Sequence, residues 1–505
     1  MSGKQSSGEA KPAAAAENEG LLDKILEGVS GNARSDEDSK AHAKELIEGY
    51  VTLLRDQKFA KIDKNLPTTI DKLVKALDEK ISEKLNTVVH DPAFLKLEGS
   101  WRGLSYLTTN TRVSDALKIR MMPVRKSELT RDFSRELENT KLYAALHQET
   151  YNVAGGQPFG ALIGDYEWGP SQEDIETLSS IAGVARRTFT PFITAASSTM
   201  VDLPSWDDLD VKAGANTLGT SMEGPQFAKW RSFRETEDAS FVVMTLPRYL
   251  ARVPYGRDSK RVEEFGYEEC KLGRDGQQHE LEHNQYCWSN AAYALGTKLT
   301  DAFDNFGFCT RIRGLDSGGR VSKLPLHTYT TEHGDAQNKC PTEVNLPDDF
   351  DAEFARLGFL PLIHYKDTDV AVFMGGQTAR KPQKYDSESA NANAEISARL
   401  PYVMATSRFA HNLKVMGRNM IGSFKEVTDV QFELDRWIKQ YVQDNASAQE
   451  YLKAKFPLRE ARVEVAPVPG KPGAYNAIAY LRPWLQMEEL NASLSMVAEI
   501  PGNRT

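Results

Sequence analysis

The feature that most constrains this chain is a C-terminal region in which apolar and polar residues alternate along the sequence. Val463 and Val465 belong to a first run, the turn PVPGKPG follows, and a second run covers 475–481. A last run near the end of the chain has apolar residues at every second position, namely Leu494, Met496, Ala498 and Ile500. A period of two is the spacing of β-strands, so this region is predicted to form three strands.

The last of these predicted strands raises the question of what covers its edge. A strand at a chain terminus presents backbone N–H and C=O groups that must be paired within its own sheet or by another chain. The first interpretation is a strand that closes its own sheet. The second is β-augmentation, in which strands are exchanged between subunits. Both interpretations stay open on the residues alone.

Composition narrows the class of protein. The chain has 505 residues, of which 40% are hydrophobic and 26% charged, and this predicts a globular protein of two to four domains. A net charge of −9 argues against nucleic-acid binding and against a polybasic membrane anchor. No stretch approaches the roughly 18 consecutive apolar residues that membrane insertion needs. The four cysteines form no CxxC pair and, with no signal peptide, predict a cytoplasmic protein.

The chain is predicted to divide into four parts. Residues 1–20 are mostly Ala, Ser, Gly, Glu and Lys, a composition typical of a disordered tail. Residues 21–90 form a helical arm, and residues 91–385 form a central α/β region. Residues 386–505 form a C-terminal α+β domain that contains the β-rich run.

The helical arm contains one strongly amphipathic helix. Thr68 is predicted to cap it, with Asp71 three residues later. Apolar residues then recur at helical spacing, among them Leu73, Leu77, Ile81 and Leu85. The stripe packs either on its own domain or on a second protein, and the sequence does not decide between the two.

The central region has the pattern of a βαβ unit. FGALIG, residues 159–164, is predicted to be a strand, Ser171 to cap a helix, and residues 190–195 to form the next strand. Residues 241–246 form another candidate strand, and a helix is expected after Trp288. In the C-terminal region, Thr428 with Gln431, and Ser447 with Glu450, are predicted helix caps.

A basic face follows the long helix predicted over residues 400–424. Its positions are Arg399, Arg408, His411, Lys414 and Arg418. Such a face is usually solvated, and the alternative is a docking surface for an acidic partner.

One short motif suggests metal chemistry. HELEH, residues 279–283, matches the H-E-x-x-H pattern, in which His279 and His283 of one helix bind zinc and Glu280 activates water. The preceding residues KLGRDGQQ are typical of a loop, which favours a solvated loop over a zinc-dependent hydrolase. A nucleotide-using enzyme built on the strand FGALIGDYE is a third hypothesis, although no phosphate-binding glycine motif is present. Cys309 is expected to be a buried structural thiol.

Longer stretches resemble a known family. They are HDPAFLKLEGSWRGLSYL from His90, YCWSNAAYALGTKLTDAFDNFGFCTRIRG from Tyr286, PTEVNLPDDFDAEFARLGFLPLIHYKDTD from Pro341, KPQKYD from Lys381, ISARLPYVMATSRFAHNLKVMGRNMIGSF from Ile396, and PLREARVEVAPVPGKPGAYNAIAYLRPW from Pro457. In this order they resemble the large subunit of the type VI secretion system contractile sheath, the TssC/VipB family. The resemblance runs from about residue 21 to residue 501.

The resemblance implies a fold and a function. The fold is expected to be phage-tail-sheath-like, with mixed sheets and flanking helices, a helical N-terminal arm and a C-terminal strand-exchange domain. The function is structural rather than enzymatic, without metal or cofactor. The implied partners are a small sheath subunit of the TssB/VipA type, further copies of the chain in a helical lattice, the inner tube protein Hcp, baseplate components, and a ClpV-type AAA+ ATPase for disassembly.

The resemblance also assigns roles to residues. Val463, Val465 and the four apolar residues of the last run are candidates for strand exchange between subunits. Small-subunit docking is assigned to the arm stripe of Leu73, Leu77, Ile81 and Leu85. Inner-tube contact is assigned to Lys453 and Lys455.

Overall fold

The computed structural model describes residues 66–151, 153, 155–257, 259–263, 265–270, 280–331, 334–420, 426–468, 475–484 and 486. Internal contacts divide the chain into two units, Met1–Asp78 and Glu79–Thr505. The first unit is represented here by residues 66–78, which form the first half of one helix. Within the described parts of the chain, every helix is too short or too polar to cross a lipid bilayer.

Helices occur along the whole described chain. The α-helices are α1 Leu66–Val89, α2 Pro92–Thr109, α3 Lys126–Asp132, α4 Gln172–Thr188, α5 Asn216–Ser221, α6 Ala228–Arg234, α7 Ala291–Phe306, α8 Asp348–Leu357, α9 Glu388–Ser397, α10 Leu400–Asn419, α11 Val427–Lys439 and α12 Glu450–Lys455. Three short helical pieces precede the first strand, and the middle one is a π-helix: Lys141–Tyr143, Ala144–Gln148 and Glu149–Tyr151. Turns of 3₁₀-helix cover Leu137–Asn139, Ser198–Val201, Trp206–Asp208, Val211–Ala213, Pro225–Phe227, Asp238–Phe241 and His283–Gln285.

Strands are mostly short outside the C-terminal hairpin. They are β1 Leu162–Trp168, β2 Phe192–Ala196, β3 Val242–Leu246, β4 Tyr249–Leu250, β5 Trp288–Ser289, β6 Arg320–Val321, β7 Thr328–Thr330, β8 Ala336–Asn338, β9 Leu360–Pro361, β10 Ile363–His364, β11 Ala371–Val372, β12 Leu458–Pro467 and β13 Tyr475–Pro483. A four-stranded sheet in the order β1-β2-β3-β9 is parallel throughout. Small antiparallel sheets join β10-β11-β6, β4-β5 and β7-β8.

The parallel sheet lies between two layers of helix. Side chains of β2 and β3 alternate between its faces: Phe192, Val242 and Met244 pack around α4, whereas Ile193 and Val243 pack around α7. Burial on both faces is why these strands are almost continuously apolar in sequence. The predicted βαβ unit and its continuation are therefore confirmed as an α/β core.

The C-terminal region is a separate α+β arrangement. Strands β12 and β13 form an antiparallel hairpin whose inner face packs on α11. Val430, Leu434 and Ile438 of that helix are buried against Val463 and Val465 of β12. The sequence-based fold class, α/β in the middle and α+β at the end, is confirmed.

Several predicted boundaries were wrong because local signals were read in isolation. Strand β1 begins at Leu162, so the FGALIG prediction began too early. Thr68 lies inside α1 rather than at its cap. Helix α11 begins two residues before the expected start, and Glu426 with Asp429 forms its capping box. The Glu426 side chain supplies a capping acceptor, so α11 begins without a cap from Thr428.

Two caps differ in outcome. Ser171 caps α4 as predicted, because its side chain accepts a hydrogen bond from the Asp174 N–H. Ser447 does not cap α12, which begins after Gln449. The Ser447 N–H instead donates to Asn445 Oδ1 at 2.9 Å, so Ser447 belongs to a local turn.

Candidate assembly surfaces

The C-terminal hairpin has two edges with different surroundings. The edge of β12 faces α11, and two of its outward backbone donors are occupied by side chains of that helix. Val463 N–H donates to Asp435 Oδ1 at 3.2 Å, and Val465 N–H donates to Gln431 Oε1 at 3.4 Å. The Lys439 ammonium first, and then the Val463 N–H, lower the pKa of the Asp435 carboxyl. The β12 edge is therefore closed by its own subunit at these positions.

The edge of β13 is open in the described structure. Ala477 lies opposite Val465, and Ala479 lies opposite Val463. Directly opposed residues of an antiparallel pair either bond to each other or both point outward, so these alanines direct their N–H groups away from β12. Within the described residues, no strand pairs with this outer edge.

The solvent face of β13 is apolar for an edge strand. Ile478 is 53% exposed and Tyr480 is 43% exposed on this face. Protein edge strands are usually short, charged or covered, because a long apolar edge pairs with other chains. The β13 edge has the properties of a pairing surface.

The structure separates the two groups of predicted exchange residues. Val463 and Val465 are buried in the core of the hairpin domain, so their side chains are used within the subunit. Leu494, Met496, Ala498 and Ile500 lie outside the described residues. Strand exchange through either group stays a prediction.

Helix α1 exposes part of the predicted docking stripe. Leu77 is 45% exposed and Ile81 is 40% exposed, while Leu85 is half-buried. The side chain of Leu73 lies outside the described residues. Ile81 and its neighbour along the stripe, Val88 at 54% exposure, are uncovered in the second unit.

Helix α2 has a second apolar face that the sequence analysis missed. Its inner face consists of Leu95, Gly99, Gly103 and Leu107, which pack on β5 and α7. Its outer face exposes the aromatic and aliphatic side chains Phe94, Leu97 and Trp101. The motif EGSWRG carried the signal, because two glycines four residues apart mark the inner face and leave the intervening tryptophan outside.

The two lysines assigned to inner-tube contact differ in environment. Lys453 Nζ donates to the Ala446 carbonyl at 2.8 Å and lies 4.8 Å from the centre of the Trp484 ring. Lys455 is exposed at the end of α12. Lys453 is thus partly committed to contacts within the subunit, and the role of both stays a prediction.

Basic residues of α10 make contacts within the subunit, and Arg408, His411 and Arg418 are half-buried. Arg408 lies over the rings of Phe303 and Phe308, at 4.6 and 5.2 Å. Lys414 lies over those of Tyr151 and Phe189, at 4.9 and 4.6 Å.

Hydrogen bonds complete the attachment of α10. His411 Nε2 donates to the Thr188 carbonyl at 3.0 Å, and Arg418 donates to the carbonyls of Tyr151 and Val153, both at 3.0 Å. The interpretation as a solvated face was therefore wrong for Arg408, His411 and Arg418, which bind α10 to the preceding α/β region, whereas Lys414 is exposed. A docking role for this face stays a prediction. Burial lowers the pKa of His411 and of Lys414, because removal from water disfavours the charged form of each side chain.

The helical zinc motif is absent from the described part of HELEH. Residues 280–282 have no regular structure, and a 3₁₀ turn begins at His283. Glu280 accepts a bond from Lys339 Nζ at 2.8 Å, while Leu281 is buried beside Trp288. His279 lies outside the described residues. The loop that the sequence favoured over a zinc-binding helix is confirmed for residues 280–282. It is not simply solvated, because buried Leu281 anchors it.

His283 belongs to a buried ion network instead. Its Nε2 lies 3.1 Å from Glu343 Oε1, and Arg248 donates two bonds to the same carboxylate at 2.9 and 2.6 Å. Burial opposes the charge of Glu343, but the bonds from Arg248 and His283 hold its pKa below the ordinary value. Among the described residues, no group of three or more His, Cys, Asp or Glu side chains is arranged to hold a metal ion.

The remaining chemical candidates are also occupied by structural contacts. Cys309 is buried as predicted, and burial raises the pKa of its thiol to about 12. The N-terminus of α4, where a nucleotide phosphate binds in many α/β enzymes, holds the carboxylate of Asp174. That carboxylate accepts from Gly169 N–H at 2.8 Å and pairs with Lys126 Nζ at 2.7 Å. Nothing about this strand-to-helix turn favours the nucleotide hypothesis.

Two protein-family models match the chain in succession. Residues 71–380 match the model described as EvpB/VC_A0108, tail sheath N-terminal domain. Residues 389–500 match the model described as EvpB/VC_A0108, tail sheath gpW/gp25-like domain. The curated type VI secretion system sheath protein TssC1 of Pseudomonas aeruginosa is 40% identical over 467 residues, which cover 91% of this chain and 92% of that protein.

Solved structures give weaker similarities. The baseplate of the anti-feeding prophage aligns with 64% of this chain and 66% of its own, at 10% identity and a TM-score of 0.35. The contracted helical sheath of the same particle aligns with 79% and 86%, at 12% identity and a TM-score of 0.33. Scores at this level establish no shared fold, so the assignment rests on the sequence matches.

A mixed α/β and α+β protein whose two family models are both tail-sheath domains is a structural protein of a contractile, phage-tail-like sheath. The near-complete match to TssC1 narrows the class further, and the chain belongs to the VipB/TssC family of type VI secretion system sheath large subunits. This confirms the resemblance seen in the sequence. Nothing in the matches supports the hydrolase alternative.

Proposed function

We propose that this chain co-assembles with a small sheath subunit of the TssB/VipA type into a helical tube around an inner tube of Hcp. Contraction of the tube propels the inner tube outward. The work is mechanical, is carried out in the bacterial cytoplasm, and involves no reaction catalysed by this chain. Baseplate components at one end and a ClpV-type AAA+ ATPase that dismantles the contracted sheath are the further partners.

The open edge of β13 is the observation that carries this proposal. The hairpin offers outward N–H groups at Ala477 and Ala479 on a strand with an apolar solvent face. A strand from a neighbouring subunit satisfies such groups by β-augmentation. The run that contains Leu494, Met496, Ala498 and Ile500 of another copy has the matching alternation.

Strand exchange of this kind explains unlimited growth. The donated segment and the accepting edge are different surfaces of the same chain, so the contact is heterologous. Heterologous contacts that do not close into a ring generate a helix of indefinite length. Backbone pairing across each contact keeps subunits connected while their other contacts rearrange, which is what contraction requires.

The helical arm is the proposed site for the small subunit. Leu77 and Ile81 expose their side chains on α1, and with Leu73 and Leu85 they follow helical spacing. The outer face of α2 offers Trp101 as an exposed aromatic anchor. Apolar helix faces with an exposed tryptophan are typical of helix-mediated interfaces. Lys453 and Lys455 on α12 remain the proposed inner-tube contacts.

Co-expression with the small sheath subunit tests the proposal directly. Electron microscopy of the purified complex should show tubular polymers, and only monodisperse particles would contradict a sheath function. Deletion of residues 492–505 should abolish the tubes and leave a heterodimer, because it removes the donated strand. Replacement of Met496 and Ala498 by proline should do the same, because proline lacks the N–H that strand pairing needs. Threonine at both positions is the matched control, and it should form tubes.

A further inference from the structure

Residues 112–125, between α2 and α3, form an extended segment that belongs to no helix or strand. The local turn at its start is closed by reciprocal bonds between Ser114 and Leu117, at 3.0 and 3.2 Å. From residue 118 to residue 123, the described structure contains no backbone hydrogen bond made by the segment. The N–H groups of residues 118–122 and the C=O groups of residues 118–123 are therefore available for pairing, since Pro123 has no N–H.

The segment lies along the outer edge of the parallel sheet. Strand β1 is the edge strand of this sheet. Each contact between the segment and β1, or the residues just before β1, involves a side chain. The contacts are Lys118 Nζ with Gln157 Oε1 (3.2 Å), Arg120 over the ring of Phe159 (5.6 Å), Tyr166 OH with the Val124 carbonyl (2.7 Å), and Lys126 Nζ with the Glu167 carbonyl (3.0 Å). These contacts follow the same order along the segment and along β1 with the residues before it. The segment therefore runs parallel to β1 without pairing to it.

The segment also exposes large apolar side chains. Val113 is 64% exposed, Met121 is 60% exposed and Met122 is 54% exposed. Methionine side chains adapt their shape to a partner, which makes them common at binding surfaces. Exposed apolar groups on unpaired extended backbone are the two properties that strand-pairing surfaces share.

Charge identifies the kind of strand that fits. Within residues 112–126, Arg112 pairs with Asp304 and Lys126 pairs with Asp174. The other basic residues are Lys118, Arg120 and Arg125, against a single acidic residue, Asp115, although the whole chain carries a net charge of −9. An incoming strand with acidic residues beside apolar ones would complement this local excess. The last run of this chain contains only Glu499 as an acidic residue, so a second copy of it is a poor match.

We propose that residues 118–123 are a recognition segment that pairs through its backbone with an extended, acidic segment of a different polypeptide. The inference rests on the proposed assembly with a small sheath subunit, which is the polypeptide used in the test. Pairing adds a strand beside the edge of the α/β core, at a site separate from the β13 edge and from the helical arm.

Hydrogen exchange of the co-purified complex measures the pairing. Amides of residues 118–122 should exchange at least about tenfold more slowly in the complex than in the large subunit alone, because paired N–H groups exchange only after opening. Exposed residues 383–384, which have no regular structure, serve as an internal reference and should exchange equally fast in both samples.

Two pairs of variants separate backbone from charge. Met121→Pro removes a donor and should weaken association with the small subunit at least about tenfold, whereas Met121→Thr keeps the N–H and should bind within about twofold of the parent. Lys118→Glu with Arg120→Glu should weaken association and reduce its salt dependence. Lys366→Glu with Lys384→Glu, at exposed positions elsewhere, is the charge-matched control.

The outcomes distinguish this inference from the proposed function. A complex that forms with unchanged exchange at residues 118–122, and that tolerates Met121→Pro, overturns the recognition segment and leaves the sheath function intact. Failure of the unmodified chain to bind the small subunit overturns the proposed function first. Protection that arises in the large subunit alone at high concentration assigns the segment to a second copy and overturns the acidic partner.

Discussion

At the scale of single residues, Gly99 shows how close packing overrides helix propensity. Alanine favours a helix over glycine by about 1 kcal/mol, so Gly99→Ala would stabilise α2 if propensity alone decided. A Cβ at this position would overlap the backbone carbonyl oxygen of Trp288, which cannot rotate away. We expect Gly99→Ala to destabilise the protein by about 1–3 kcal/mol, measured by chemical denaturation.

The matched control for this change is Gly417→Ala in α10. A Cβ at Gly417 meets no heavy atom within 4 Å, so only propensity and unfolded-chain entropy act there. We expect a gain of about 0.5–1 kcal/mol. Equal effects of the two substitutions would show that the approach of α2 to β5 is not as close as described.

A second residue-scale prediction concerns pH. His327 is 1% exposed, and burial lowers its pKa from 6.5 to about 4, so the folded protein holds it neutral. The unfolded chain binds this proton below pH 6.5 while the folded one does not. Stability should therefore be complete above pH 6.5 and fall by up to about 3 kcal/mol as the pH drops through 4. Melting temperatures measured from pH 7.5 to 4 would show the decline.

His327→Gln isolates the contribution of this one side chain. The amide has no proton to gain in this range and can still bond with the Tyr286 hydroxyl, which lies 3.0 Å from His327 Nδ1. The variant should show a flatter decline between pH 6.5 and 4 than the parent. An unchanged slope would assign the acid sensitivity to other groups.

At the scale of elements, basic side chains of helix α10 attach it to the preceding α/β region. Arg418→Met keeps the aliphatic stem and removes the bonds to the Tyr151 and Val153 carbonyls. The partly buried Tyr151 carbonyl loses this donor, whereas the Val153 carbonyl still accepts from the Gly156 N–H at 3.0 Å. We expect a loss of about 1.5–3 kcal/mol in denaturation, with faster hydrogen exchange in residues 143–151. Arg436→Met on the exposed face of α11 is the control and should change stability by less than about 0.5 kcal/mol. Similar losses from both substitutions would show that the bonds of Arg418 do not specifically hold α10 in place.

The sequence predicted elements well where local and tertiary preferences agree. Strands β2 and β3 are almost continuously apolar because both faces are buried, and α4 has both a Ser171 cap and a buried stripe. The sequence did not predict the surroundings of α10, because helical spacing shows which residues share a face but not what covers that face. The carbonyl that His411 bonds belongs to Thr188, 223 residues earlier in the chain.

Surfaces were harder to predict than cores for the same physical reason. Alternation identified β12 and β13 as strands, yet nothing in their sequence showed that Asp435 and Gln431 would close one edge. The outer face of α2 was overlooked because Phe94, Leu97 and Trp101 resemble core residues in sequence. The loop favoured for HELEH is confirmed over residues 280–282, but its sequence did not show that Leu281 would be buried.

At the scale of the whole molecule, the difference between the two hairpin edges predicts how the sheath is built. Ala477 is exposed and directs its N–H away from β12, so Ala477→Pro removes a donor at the open edge without breaking the hairpin. Ala477→Thr keeps that donor and suits a strand. We expect the proline variant to bind the small subunit but to form few or no tubes by electron microscopy, and the threonine variant to form tubes normally. Because α11 closes the β12 edge, a strand from a neighbouring subunit can pair with this hairpin at the β13 edge. Normal tubes from Ala477→Pro would mean that other contacts hold the lattice together.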